Sequence, residues 1–189
     1  MVRSFLKDRR TDRQLVEVCN NGGRKDATKA FETLYRRHKD YVLRIAFRFS
    51  NDHDIALDVL QETFVYVLRK FPPPGPGLEL TAQLTTLLYP VAKNLAISAT
   101  RKTERFKPGA VDPDELAAAP SPAALNVDPL LAELSPQHQE VIQLRFVDDM
   151  SLQDIASALE VPLGTVKSRL HQAIKQLKNK DISRKFFGR

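Results

Sequence analysis

At 189 residues and 21.4 kDa the chain has room for one domain or two small ones, and none for a large barrel enzyme. Hydrophobic residues make up 42%, enough for a core, and the net charge of +6 points to a polyanionic partner. A single cysteine, Cys19, excludes an internal disulfide framework and a cysteine zinc cage, and no run approaches the roughly 18 apolar residues of a membrane span. With no apolar leader in MVRSFLKDRR, a soluble, intracellular protein is expected.

The charge is segmented. Residues 1–107 hold twenty Lys and Arg against twelve acids, 108–144 hold none against six, and 145–189 hold nine against five. Two basic blocks thus flank an acidic stretch.

In the first block, Ala30, Phe31, Leu34, Tyr35, Tyr41, Val42, Ile45 and Phe49 recur at helical spacing. A second helical run follows with Ile55, Val59, Leu60, Phe64, Val67, Leu68 and Phe71, and a third with Leu84, Leu87, Leu88, Val91, Ala92 and Leu95. Between the second and third lies FPPPGPGLE, which no helix crosses, so a rigid loop is expected. Pro90 falls inside the third run, which predicts a kink or a later helix start. Nothing alternates with period two, so no strand is predicted.

Pro108, Pro113, Pro120, Pro122 and Pro129 crowd the acidic stretch and prevent a long helix. Residues 104–132 read as a linker, whose flexible-coil ends would lie on the order of 30 Å apart.

Beyond it, Ser135-Pro136 reads as an N-cap and first helical residue, ahead of Val141, Ile142 and Leu144. Ser151, with Asp154 three residues on, opens a second helix carrying Leu152, Ile155, Ala156 and Leu159. After Glu160, Val161 and Pro162 a third helix aligns Val166, Leu170, Ile174 and Leu177. The last two, joined by a short turn, form a helix-turn-helix pattern. The outward side of the final helix offers Thr165, Lys167, Ser168, His171, Gln172 and Lys175, side chains suited to base edges and phosphates. From 161 to 189 there are eight Lys or Arg and one acid, Asp181. By pattern alone this is either a DNA-reading helix or a solvated basic one.

Residues 134–178 resemble the promoter-binding C-terminal domain of the extracytoplasmic-function (ECF) sigma factors of bacterial RNA polymerase, most distinctively at Gly164-Thr165-Val166-Lys167-Ser168-Arg169-Leu170. AFETLYRRHKDYVLRIAFRF, DIALDVLQETF and LLYPVAKNLA resemble, in that order, helices of the same family's promoter-melting domain. The resemblance implies an all-α chain of two small helical domains joined by a flexible linker. Its parts are a melting and polymerase-docking domain (1–103), the acidic linker (104–132) and a helix-turn-helix domain with a basic tail (133–189).

It also implies the site residues. Asp58, Gln61 and Glu62 match the D-x-x-Q-E motif that docks on the clamp coiled coil of the polymerase's largest subunit; their spacing puts them on one helical turn. Lys93 and Asn94 match the basic-Asn pair that engages the downstream promoter element, and Arg101 and Lys102 continue the basic side. Tyr89 is either a surface for stacking an unpaired base or a core aromatic. The family's loop after the docking helix chooses the flipped base; here it is the proline-rich 72–77 segment, and Leu87 and Ser98 stand where the family usually has Trp and Asp. For the upstream element the contacting positions map to Lys167, Ser168, His171 and Gln172, with Thr165 and Arg169 near phosphates.

The implied partners are core RNA polymerase, promoter DNA and an anti-sigma protein, in the bacterial cytoplasm and on the nucleoid when in holoenzyme, without membrane insertion. No cofactor, metal or catalytic residue is expected: Gly22-Gly23-Arg24-Lys25 lacks phosphate-loop spacing, and His38, His53, His138 and His171 are scattered. The alternative is a helix-turn-helix regulator working without sigma activity. An acidic linker that stands in for nascent RNA, through Asp112, Asp114, Glu115 and Asp128, is a further expectation.

Overall fold

The computed structural model of this chain describes residues 8–73, 75–105 and 131–178. Among them every regular element is helical, as the periodicities predict. Most of the acidic linker, with its four named carboxylates, and residues 179–189 of the tail lie outside the described residues.

Thr11 opens α1 (Asp12–Asn21) through a capping box: its hydroxyl accepts from the Gln14 N–H at 3.3 Å, and the Gln14 amide oxygen accepts from the Thr11 N–H at 2.8 Å. Apolar periodicity missed this ten-residue helix, which buries only Leu15, Val16 and Cys19. The Thr-x-x-Gln spacing was its signal.

α2 (Arg24–Phe47) and α3 (His53–Leu68) bury the stripes read from the sequence. Asp52 caps α3, accepting from the Asp54 and Ile55 N–H groups at 2.8 and 3.2 Å. Between them the Phe31 ring meets Phe64 and Phe71 edge-on at 6.2 and 6.1 Å, and Tyr35 meets Phe64 at 4.8 Å. Such pairs add about 0.5–1.5 kcal/mol each beyond area burial. Leu68 departs from its expected buried stripe and is 51% exposed. α3 ends there, and tight turns from Lys70 to Val67 and from Phe71 to Leu68 tuck Phe71 into the core instead.

α4 (Leu84–Arg105) starts where the apolar run starts and continues through Pro90, so the later start did not occur. The missing N–H and ring clash cost about 3 kcal/mol in a free helix. Burial of Leu84, Leu88, Tyr89, Ala92 and Ala96 against α2, α3 and the C-terminal unit offsets this.

In the C-terminal unit, Ser135 caps α5 (Pro136–Ile142) with Pro136 in its first turn. A π-helical turn (Gln143–Val147) follows and closes with the Asp148 N–H on the Gln143 carbonyl. Ser151 caps α6 (Leu152–Leu159), and Glu160 ends it in the left-handed conformation, φ 54°, that the turn demands. α7 (Leu163–Lys178) packs Val166, Ala173 and Leu177 inward. α4 lies against α6, and one contiguous apolar cluster runs from Leu15 and Leu34 through Leu88 to Met150, Ile155 and Val166. The two helical units therefore share a core here.

Candidate polymerase and promoter interfaces

α3 presents two unlike faces. Ala56, Val59, Leu60, Thr63, Phe64 and Val67 point inward, which leaves Asp58, Gln61 and Glu62 exposed together on the outside. Leu57, Val65, Tyr66 and Leu68 are also exposed there, between 36% and 51%. Carboxylates beside apolar area suit a protein partner, the charges steering encounter and the apolar atoms supplying burial. Reading for the polar motif missed these apolar neighbours; Leu57 and Val65, interrupting the polar side of the run, were the available signal.

On α4, Asn94, Arg101 and Lys102 are exposed. Tyr89 is only 1% exposed, so here its ring is a core aromatic. Its hydroxyl donates to Glu140 Oε1 on α5 at 2.6 Å, and Lys93 Nζ donates to the same oxygen at 2.5 Å. Burial, and then the charge of Glu140, push the Tyr89 phenol well above its ordinary pKa, so it stays a donor.

Further polar contacts join the units. The Asp148 carboxylate, with no exposed side-chain surface, lies 2.8 Å from Arg48 Nη2 and 3.5 Å from Arg44 Nη2. The Arg48 contact falls outside hydrogen-bond geometry and is an ion pair held by charge. Thr86 donates to Asp154 Oδ1 at 3.2 Å. Tyr41, buried, points its hydroxyl at Met150 Sδ, 3.9 Å away.

α7 carries the remaining residues. Lys167, Ser168, His171 and Gln172 are exposed on one side, with Thr165 and Arg169 half-buried at its edges. Small Ala156, buried beneath it, lets α6 and α7 approach closely. Among the described residues no group of His, Cys, Asp and Glu could hold a metal ion, and no helix is long and apolar enough to cross a membrane.

Residues 34–106 match the family model of sigma-70 region 2, and residues 130–179 that of sigma-70 region 4. The chain is 34% identical over 156 residues to the ECF RNA polymerase sigma factor SigL of Mycobacterium tuberculosis strain H37Rv, covering 77% of this chain and 85% of that one. The chain belongs to the ECF family of RNA polymerase sigma factors.

A second ECF relative, SigE of Mycolicibacterium smegmatis, is 30% identical over 173 residues, which span 86% of this chain and 65% of that relative. Among solved structures, CnrH in complex with the cytosolic domain of CnrY aligns with a TM-score of 0.55 and 26% identity, over 89% of this chain and 95% of CnrH. Within the ECF frame, the α3 and α4 site residues fall in region 2 and those of α7 in region 4. The 34–106 match begins within α2, so α1 and the first turns of α2 lie on the N-terminal side of the matched region.

Proposed function

We propose that this chain acts as a sigma factor, binding core RNA polymerase and directing promoter recognition and DNA melting in transcription initiation. The observation that carries this reading is the pairing, in the family's order, of the exposed Asp58, Gln61 and Glu62 face on α3 with the exposed Lys167, Ser168, His171 and Gln172 face on α7. α3 takes the polymerase clamp. α4, with Lys93, Asn94, Arg101 and Lys102, engages the downstream element, its cations neutralising phosphates and its amide reading base edges. α7 reads the upstream element in the major groove.

The division of labour follows the units at 1–103 and 133–189, with 104–132 between them. Melting needs captured bases and bound backbone rather than bond-making groups, so the protein works as a specificity subunit and not as an enzyme. That CnrH was solved in complex with the cytosolic domain of CnrY supports a further protein partner, for which the family resemblance implies an anti-sigma protein, and the cytoplasm is the matching compartment.

The test is to add the protein to core polymerase and select transcribed templates from a promoter library. Selection of a two-part promoter is expected. Failure to bind core would falsify the reading, and tight duplex binding by the chain alone would favour a regulator without sigma activity.

A further inference from the structure

The loop between α3 and α4 is anchored by α1. Asn20, in the last turn of α1, pairs both of its amide groups with one backbone unit: Oδ1 accepts from the Leu78 N–H at 2.9 Å, and Nδ2 donates to the Leu78 carbonyl at 2.8 Å. Gly77 sits beside the amide at φ +102°, where an added Cβ would lie 3.3 Å from Asn20 Oδ1. Arg13, two turns earlier on α1, donates to the Leu80 carbonyl at 3.1 Å. At the other end of the loop, Gly75 lies so close to the Arg69 and Lys70 carbonyls that a Cβ would meet them at 2.4 and 2.3 Å.

We infer that Asn20 is a positioning residue for downstream-element selection, fixing the loop that meets the flipped base. This rests on the promoter reading above. A two-point amide clamp sets both the distance and the rotation of the backbone it holds, which a single bond does not.

The test uses holoenzyme on templates randomised at both elements. Asn20→Ala is expected to lose about tenfold of base preference at the downstream element, the scale of one base contact, with the upstream preference unchanged. Asn20→Asp, which keeps the acceptor and loses the donor, is expected to fall between. Glu79→Ala, an exposed change in the loop itself, serves as the comparison. If Glu79→Ala alters the downstream profile and Asn20→Ala does not, the positioning role is overturned; equal loss at both elements in Asn20→Ala overturns it too. If both variants leave the profile intact, the assignment of the loop falls with it.

Discussion

Tyr89 and Glu140, fifty-one residues apart, form a half-buried hydrogen bond that joins the two halves of the protein, with O···O 2.6 Å. A neutral phenol donating to a carboxylate is worth more than a neutral pair, and Lys93 balances the charge that remains.

Tyr89→Phe is therefore expected to lower stability by about 1.5–3 kcal/mol, the range for hydrogen bonds to charged groups. Urea unfolding of the full chain measures it. The ring itself stays buried, so the loss reports the hydroxyl.

On α7, Gln172→Ala is expected to cost about 1–3 kcal/mol of holoenzyme affinity for its promoter and to relax preference at one upstream position. If Lys167 contacts phosphate rather than a base, Lys167→Ala will weaken all sequences alike and flatten the salt dependence by about one charge. Promoter binding across a salt series separates the two. Both residues are exposed, so folding is untouched.

Asp12 ties α1 to α2, accepting from Arg37 Nη1 at 2.8 Å and lying 2.6 Å from His38 Nε2. Burial alone would raise its carboxyl pKa, but the hydrogen bonds and charges of His38 and Arg37 outweigh that and hold it below the ordinary value of 3.8. A depressed carboxyl contributes stability that is present above its unfolded value and lost as pH falls through the folded one. Wild type should thus exceed Asp12→Asn in unfolding midpoint at pH 6, and the gap should shrink below about pH 4. A constant gap would show that ionisation of Asp12 is not what matters.

Glu160 ends α6 at φ 54°, where a side chain is strained and glycine is not. Glu160→Gly is expected to raise stability by up to about 1 kcal/mol, the relief of strain exceeding the extra chain entropy. The urea midpoint reads this directly, with promoter selectivity unchanged because Glu160 lies off the α7 face.

How much of this was legible in the sequence depended on whether the cause was local. Caps and helical stripes are local: Ser135 and Ser151 announce α5 and α6, and Val59, Leu60 and Phe64 mark the inner side of α3 whatever they pack against. The outward residues Asp58, Gln61, Glu62, Lys167, His171 and Gln172 follow from the same periodicity, since a side chain opposite a buried stripe faces away from the core. α1 escaped only because three buried residues make a weak period.

Contacts between distant segments were not legible. Tyr89 could have been a stacking surface or a core aromatic, and the Glu140 carboxylate from the other half of the chain decides between them in this arrangement. Nothing near Asn20 in the sequence announces Leu78, fifty-eight residues on, and nothing near Pro90 shows the packing that carries a helix through it. Helical period and capping act over three or four residues, so the sequence by itself determined the all-helical architecture and which side chains of α3 and α7 face outward. Which cations are covered, which loop is clamped and how the two basic units close on one another depend on groups brought together only by the packed chain, and those the tertiary structure alone decided.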